Sequence, residues 1–280
     1  VNPLANVSGL TEAGWTGTVL LAVTGSRPQL VLNTYGHAGS VIELNGAQGW
    51  IPGGTVVAAP VRLTGNGLQL TNGSSSALTQ VTFSKVEGDG SLLGPSGNAW
   101  VYALLLQDVS AFTGNMDFTA GGQGGAFAVL IGSAFPSDYA HNAYKTHLTI
   151  LADGTASIAQ GKTWKPATGA SGTVRVYGSL GGTGTVASAL AYYDGATLDA
   201  TAGALTVTGA VTYGDSLMVK LPAAPDTAGT QVLVKAGVGV PSFALLALTD
   251  GSVATALLVA KEDGLYAVKP TVIPPSGTET

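Results

Sequence analysis

The sequence predicts an all-β protein with a right-handed parallel β-helix (solenoid) body and a smaller antiparallel β portion at the C-terminus. Short runs of β-branched and aliphatic residues recur along the 280 residues, separated by Gly, Asn, Asp and Ser. Asn-Gly and Asp-Gly pairs, such as Asn45-Gly46 and Asp194-Gly195, supply the positive φ that tight turns require. Helical periodicity is nearly absent, and the 41 glycines follow no Gly-X-Y period, which excludes collagen.

A quasi-period near 20 residues favours a solenoid over a sandwich or barrel of hairpins. Leu198 and Leu217 lie 19 residues apart, and so do Val186 and Leu205, each within a short strand. Such a spacing is typical of one coil of a parallel β-helix, in which inward aliphatic side chains stack from coil to coil. We expect the solenoid body to span residues 1–225, with the first hundred residues either solenoid or sandwich.

The character of the chain changes after Pro225. Residues 226–269 read as three or four strands, with hairpin turns at Asp250-Gly251 and Asp263-Gly264, and predict a C-terminal cap. Residues 270–280 form a Pro-rich tail. A Thr-Val-Ile segment in this tail could add as a strand to a neighbouring copy. This points to an intermolecular contact at Val272, Ile273, Pro274 and Pro275.

Composition limits the classes of partner. Charged residues make up 10% of the chain, against about 25% in average soluble proteins, so either neighbours cover much surface or the exterior is neutral. The net charge of −5 and the lack of a basic cluster argue against nucleic-acid binding. The chain has no Cys and no apolar run long enough for a transmembrane helix. Because it begins at Val1, we expect a removed signal peptide or a longer parent protein.

Two segments rich in Gly and Thr share a similar pattern. The first runs from Ser171 through Leu-Gly-Gly-Thr-Gly-Thr-Val186, and the second from Gly195 to Leu-Thr-Val-Thr-Gly209. Both resemble the end of an autotransporter-type β-helical passenger of the bacterial cell surface. The segment from Phe112-Thr-Gly to Gly122 is a weaker match to the rungs of such proteins, so the similarity covers about residues 110–222. The resemblance implies a fold and a surface location, and it transfers no catalytic residue.

Several polar groups are candidates for chemistry. Asp138, His141 and His147 could meet at a metal, although their spacing matches no zinc pattern. Because the stretch that contains them interrupts the strands, it is predicted to be an exposed loop. Glycoside hydrolysis needs paired carboxylates in one groove, about 5–10 Å apart. The candidate pairs are Glu87 with Asp89, Asp108 with Asp117, and Asp194 with Asp199, several of which lie in turn sequences.

Glycine-rich runs and aromatic residues complete the candidates. Gly121–Gly125 and Gly181–Thr185 lack the Lys-Ser/Thr and the following helix of a nucleotide site, and they lack the Asp of calcium repeats. We interpret several aromatic side chains as exposed, and these could stack on sugars, although such side chains more often fill core ends or interfaces. The aromatic candidates are Trp15, Trp50, Trp164, Tyr192 and Tyr193.

We therefore expect a secreted or cell-surface structural protein that assembles with copies of itself into a fibre or layer, through strand edges or the tail. The alternative is a monomeric adhesin segment that binds glycans or a host or matrix surface. A carbohydrate-active enzyme is a third hypothesis. We predict no enzymatic activity, no cofactor and no metal site.

Overall fold

The computed structural model of the chain is all-β, with no helix among the residues that it describes. These residues are 5–6, 18–22, 29–31, 41–51, 54–70, 79–94, 102–118, 127–137, 148–166, 172–225, 230–235, 244–249, 251–252 and 256–269. The prediction of an all-β fold class is confirmed.

The strands are short. The first ten are β1 Ala5–Asn6, β2 Thr18–Ala22, β3 Gln29–Val31, β4 Val41–Asn45, β5 Ala47–Trp50, β6 Thr55–Val57, β7 Val61–Leu63, β8 Leu68–Leu70, β9 Thr79–Phe83 and β10 Val86–Gly88. The next ten are β11 Leu92–Leu93, β12 Tyr102–Leu106, β13 Met116–Asp117, β14 Phe127–Ile131, β15 Leu148–Ile150, β16 Thr155–Ile158, β17 Thr163–Lys165, β18 Thr173–Val176, β19 Ser179–Gly182 and β20 Thr185–Val186. The last are β21 Ala189–Tyr192, β22 Ala196–Asp199, β23 Leu205–Val207, β24 Val211–Tyr213, β25 Leu217–Leu221, β26 Thr230–Lys235, β27 Ala244–Leu248, β28 Leu257–Lys261 and β29 Gly264–Val268.

The strands stack into three faces that the chain visits in turn, as a solenoid requires. Face 1 is a 12-stranded sheet with the order β1-β3-β5-β8-β11-β13-β17-β20-β23-β26-β29-β28. Face 2 is an 8-stranded sheet with the order β24-β21-β18-β15-β14-β12-β9-β6. Face 3 consists of a 4-stranded sheet, β10-β7-β4-β2, and a 5-stranded sheet, β16-β19-β22-β25-β27. The predicted parallel β-solenoid is confirmed, and its hand stays a prediction.

The first hundred residues are solenoid in their described part. Strands from successive coils pair in parallel, as in Val19 with Ile42 and Ile42 with Val61. A sandwich of hairpins would pair consecutive strands antiparallel instead. The structure thus favours the solenoid over the sandwich for this region.

Alternating side chains build the core. In β18 the residues Val174 and Val176 are buried while Thr173 and Arg175 are partly exposed. Because successive side chains of a strand point to opposite faces, each coil sends aliphatic residues inward onto those of the coils beside it. The inward residues form one continuous cluster that runs from Ile42 to Ala267.

The observed register differs from the predicted spacing by two residues. Leu198 pairs with Val219, not Leu217, and Val186 pairs with Val207, not Leu205. These coils therefore repeat at 21 residues, as also between Gly195 and Ser216. A shift of two residues keeps the same side chains inward, so the alternation of residue types cannot distinguish the two registers.

Face 2 contains one strand that face 1 lacks. In face 1, β13 pairs directly with β17, whereas in face 2, β15 lies between β14 and β18. After β14, Phe135 packs on the outward residues Ala103, Leu105 and Leu130. Face 3 is interrupted at the same level, between β10 and β16.

The C-terminal end combines parallel and antiparallel pairing. β26 and β27 still pair in parallel with β23 and β25, so coil geometry continues beyond residue 225. The antiparallel portion predicted from the sequence is the hairpin of β28 and β29, which turns at Glu262 and Asp263 and pairs with β26. Leu265 and Ala267 join the main core, and Leu258 packs against it, so this hairpin covers the end of the core. The tail residues 270–280 lie outside the described residues.

Candidate functional site

The histidine and carboxylate candidates for a metal lie outside the described residues. This applies to Asp138, His141 and His147. Across the part of the chain that the structure describes, no group of three or more His, Cys, Asp or Glu side chains could hold a metal ion.

Glu87 belongs to a charge ladder on the outer side of face 3. Its Oε1 lies 2.7 Å from Arg62 Nη2 and accepts a hydrogen bond of 2.9 Å from Arg62 Nε. Its Oε2 lies 2.9 Å from Lys85 Nζ. Arg62 Nη1 also lies 3.9 Å from Glu43 Oε2. Because Glu43 pairs with Arg62, and Arg62 with Glu87, opposite charges alternate along the stacked strands.

The ladder stabilises the charged forms of its members. The hydrogen bond from Lys85 lowers the pKa of Glu87, and Arg62 adds to the effect. The same hydrogen bond raises the pKa of Lys85. A general acid needs a carboxyl whose pKa is raised towards neutrality. Glu87 is shifted the opposite way, and its sequence neighbour Asp89 is exposed. This pair therefore has the properties of a structural ion ladder.

The second carboxylate pair is divided between two structural roles. Asp108 Oδ1 accepts a hydrogen bond of 2.9 Å from the backbone N–H of Ser110, and hydrogen bonding from Ser110 lowers the pKa of Asp108. Asp117 Oδ2 accepts a hydrogen bond of 3.3 Å from Lys165 Nζ on the adjacent strand of face 1. Asp108 thus stabilises a turn, and Asp117 belongs to a cross-strand ion pair.

The third pair also accepts hydrogen bonds from the backbone. Asp194 Oδ1 accepts from the N–H of Ser216 at 3.2 Å, one coil further on. Asp199 Oδ1 accepts from the N–H and the hydroxyl of Thr201, at 3.0 and 2.5 Å. The Asp199 contact is of the kind for which Asp is selected at turns, whereas the Asp194 contact joins two coils.

The described glycine-rich run packs the coils together. In Gly181–Thr185, a Cβ on Gly181 would overlap the backbone carbonyl oxygen of Asp199. A Cβ on Gly182, whose φ is +108°, would overlap the backbone carbonyl oxygen of Ile158. These glycines allow neighbouring strands to approach closely, which accounts for them without a ligand. Gly121–Gly125 lies outside the described residues.

Two of the five predicted sugar-stacking aromatics are buried. Trp164 and Tyr192 are buried in the solenoid core, so the interpretation of these two as exposed is wrong. Their strands, β17 and β21, alternate as the others do and direct them inward. Trp15 and the side chain of Trp50 lie outside the described part.

Tyr193 is half-buried and belongs to an aromatic pair that the sequence did not reveal. Its ring stacks on that of Tyr177, with centroids 4.2 Å apart and an interplanar angle of 15°. Tyr177 follows β18 and Tyr193 follows β21, and their preceding residues Val176 and Tyr192 pair across the two strands. Tyr177 is 37% exposed. We call these two residues the tyrosine pair. The sequence does contain a signal for this pair, because each Tyr directly follows a strand of the repeat and strands of successive coils stack on each other.

The structure defines a β-solenoid whose described outer surface carries an ion ladder, the tyrosine pair and the terminal strands of each sheet. No protein-family model, no curated protein and no solved structure matches this chain. None of the described segments forms a helix that is long and apolar enough to cross a membrane.

Proposed function

We propose that this chain is a secreted or cell-surface structural protein whose copies assemble head to tail through the terminal strands of the solenoid. The observation that carries the proposal is the direction of β28, the last strand of the 12-stranded face 1. β29 runs antiparallel to both β26 and β28. β28 therefore has the same direction as β26 and as β1, the other terminal strand of this face.

This direction suits continuation of face 1 into a second copy. Alternate residues of an edge strand direct their backbone N–H and C=O groups away from the existing partner. β1 of another copy could pair with β28 in the parallel manner of most of this sheet. Leu257 at the start of β28 is 54% exposed, so an apolar side chain is accessible on this edge.

Face 3 supports the same geometry, since β27 and β2 are its terminal strands. Because these surfaces differ from each other, the contact is heterologous, and we propose that it repeats along the solenoid axis without closing into a ring. A heterologous contact that does not close produces a filament. Tail contacts through Val272, Ile273, Pro274 and Pro275 remain a second proposed link between copies.

Location and the absence of catalysis are part of the proposal. The low fraction of charged residues and the lack of Cys are compatible with export into an oxidising environment. Among the described candidate carboxylates, Glu87 forms ion pairs, and Asp108 and Asp194 accept hydrogen bonds from backbone N–H groups. We propose no cofactor, and glycans or host and matrix surfaces stay as alternative proposed partners.

Sedimentation velocity over a concentration series, with electron microscopy, tests the proposal. Leu257→Lys places a charge on the β28 edge and should keep the protein monomeric where the wild type forms chains. Thr208→Lys adds the same charge at an exposed position beside β23, inside face 1, and should assemble normally. A chain ending at Thr271 measures the contribution of the tail. A wild type that stays monomeric at high concentration would overturn the proposal.

A further inference from the structure

The tyrosine pair is held at a fixed spacing by the backbone that carries it. Val176 and Tyr192 pair across β18 and β21, and each is followed directly by one member of the pair. The N–H of Tyr193 donates to the carbonyl oxygen of Val176 at 2.8 Å. The sheet pairing therefore continues to Tyr177 and Tyr193, and their backbones lie one coil apart, at about the 4.8 Å that separates neighbouring strands.

The two rings lie side by side in van der Waals contact. Their centroids are 4.2 Å apart and their planes differ by 15°. Because this separation is close to that of the two backbones, the side chains extend together and bring corresponding edges of the rings next to each other. Carbon atoms attract each other most strongly at about 3.5–4.0 Å. The ring carbons beside the two phenolic hydroxyls are thus within reach of each other after a small rotation of the side chains.

We propose that the tyrosine pair is a site of oxidative cross-linking, at which a one-electron oxidant joins Tyr177 to Tyr193 as dityrosine. The oxidant removes one electron and one proton from each phenol, which gives two neighbouring phenoxyl radicals. These radicals combine through a new carbon–carbon bond between their Cε atoms. Each bonded carbon then loses its hydrogen as a proton and each oxygen gains one, so both phenols are restored. Hydrogen peroxide, with a peroxidase as catalyst, accepts the two electrons and two protons and leaves as two molecules of water.

The position of the pair on the outside of the solenoid gives an oxidant access. Tyr177 is 37% exposed, and Tyr193 is half-buried. The chain contains no Cys, whose thiolate is readily oxidised and would compete for the oxidant. The other stacked tyrosines differ in both respects, because Tyr192 is buried in the core and its ring centroid lies 5.9 Å from that of Tyr213. Exposure and spacing together select the tyrosine pair.

The fold favours coupling within the pair and gives the product a role. Two reacting groups that are already held in contact react as a unimolecular step, without the cost of finding each other in solution. The new bond would connect two coils at residues 16 positions apart in the sequence. Such a cross-link restricts the unfolded chain much more than the folded one. It would therefore stabilise these coils against unfolding in a chain that has no Cys for a disulfide.

Photo-oxidation of the purified protein tests the inference, with tris(bipyridine)ruthenium as the oxidant and persulfate, which becomes sulfate, as the final electron acceptor. The wild type and Leu257→Lys are both used, so that contacts between copies do not affect the result. Trypsin releases both tyrosines in one peptide, residues 176–220. This peptide should lose the mass of two hydrogen atoms and show the fluorescence of dityrosine. It should give no fragment ions from backbone breaks between Tyr177 and Tyr193.

Phenylalanine variants locate the bond, because phenylalanine keeps the stacked ring but has no phenol to oxidise. Tyr177→Phe and Tyr193→Phe should each reduce the yield of the cross-linked peptide by about tenfold or more, since each removes one of the two pre-positioned radicals. Tyr192→Phe, the matched control on the core side of the same strand, should leave the yield unchanged. Unfolding in urea before illumination should also reduce the yield, because the fold no longer holds the rings together. After oxidation, the urea midpoint should rise in the wild type and not in Tyr193→Phe.

Three results would overturn the cross-linking site. These are no cross-linked peptide from the wild type under conditions that couple free tyrosine, an unchanged yield in Tyr193→Phe, and equal yields from the folded and the urea-unfolded protein. Circular dichroism of each variant before illumination establishes that the fold is retained. Sedimentation of the untreated protein does not depend on this reaction, so the two proposals fail separately.

Discussion

Arg62 and Glu87 lie on adjacent parallel strands of face 3 and form two contacts, with Nη2 and Nε at 2.7 and 2.9 Å from Oε1. Glu43 on the next strand beside Arg62, and Lys85 two residues before Glu87, extend this pair into a ladder. The strands at this level are only three to five residues long. Charge alternation between coils therefore helps to fix which coil follows which, because a slipped register would bring like charges together.

The first prediction concerns Glu87→Gln. Arg62 is 41% exposed, so solvent screens the ladder, and we expect a loss of about 1 kcal/mol in the free energy of unfolding at neutral pH. The pKa of Glu87 is lowered in the folded protein from an ordinary value of 4.5. Its contribution is thus present above pH 4.5 and is lost as the pH falls through the lower, folded-state value. Urea unfolding between pH 7 and pH 3 measures this, and the difference between variant and wild type should shrink on acidification.

High salt provides the control for that prediction. Screening by 1 M NaCl should reduce the difference between Glu87→Gln and the wild type, since the Debye length falls to about 3 Å. A difference that stayed constant with both pH and salt would show that packing, not charge, accounts for the change.

The second prediction uses two neighbouring residues of β22. Leu198 is buried and Thr197 is partly exposed, so the pair tests the direction of side chains in the coil. Leu198→Ala should destabilise the protein by about 2–5 kcal/mol, through lost burial and the cavity that remains. Thr197→Ala should change stability by no more than about 0.5 kcal/mol. Equal urea midpoints for the two variants would contradict the inward stacking of aliphatic side chains.

Much of the fold could be predicted from the sequence, because the inward-outward alternation and the turn residues are local signals. Because these signals are local, they did not predict the exact spacing between coils or the position of the extra strand. Partners of Leu198 and Val186 shift by two residues without altering any inward side chain. The extra strand β15 has the same apolar pattern as its neighbours. Its insertion into face 2, with no matching strand in face 1, depends on long-range packing that a local pattern does not encode.

The described surface features were harder to predict than the fold. The ion ladder was missed although Glu43 and Arg62 each stand between apolar residues of a strand, as in Ile42-Glu43-Leu44 and Val61-Arg62-Leu63. This triplet, with opposite charges in successive coils, is a usable signal. The surface interpretation of Trp164 and Tyr192 failed because a large aromatic alone does not indicate which side of a strand it occupies. That depends on the register of its strand.

The third prediction separates two effects at glycines with positive φ. Gly54 has a φ of +80° and no atom within 4 Å of the position that a Cβ would take, whereas Gly67 has a φ of +65° and faces the backbone of Ser91. Gly54→Ala should cost about 1 kcal/mol, because only backbone strain opposes it. Gly67→Ala should cost about 3 kcal/mol or more, because its methyl group would also overlap the Ser91 carbonyl oxygen.

Thermal and urea unfolding of the two alanine variants distinguish these contributions. If Gly67→Ala destabilised the protein no more than Gly54→Ala, the close approach of Gly67 to the Ser91 backbone in the structure would be contradicted. A larger loss in Gly54→Ala would contradict the proposed order of the two effects.

The fourth prediction concerns the hydroxyl groups of two stacked tyrosines. Tyr192 donates to the carbonyl oxygen of Leu180 at 3.3 Å, while the buried hydroxyl of Tyr213 has no hydrogen-bond partner in the described structure. Tyr192→Phe should therefore cost about 1 kcal/mol, and Tyr213→Phe should be neutral or stabilising at neutral pH.

Alkaline pH separates Tyr213→Phe from the wild type further. Burial raises the pKa of Tyr213 above its ordinary value of 10.0, so the unfolded chain loses this proton at lower pH than the folded one. The stability linked to the protonated hydroxyl is present below pH 10 and falls as the pH rises beyond it. Tyr213→Phe removes that linkage and should unfold at a higher alkaline pH than the wild type. Urea midpoints between pH 8 and pH 11 measure this, and a parallel decline of both proteins would show that the Tyr213 hydroxyl is solvated in the folded state.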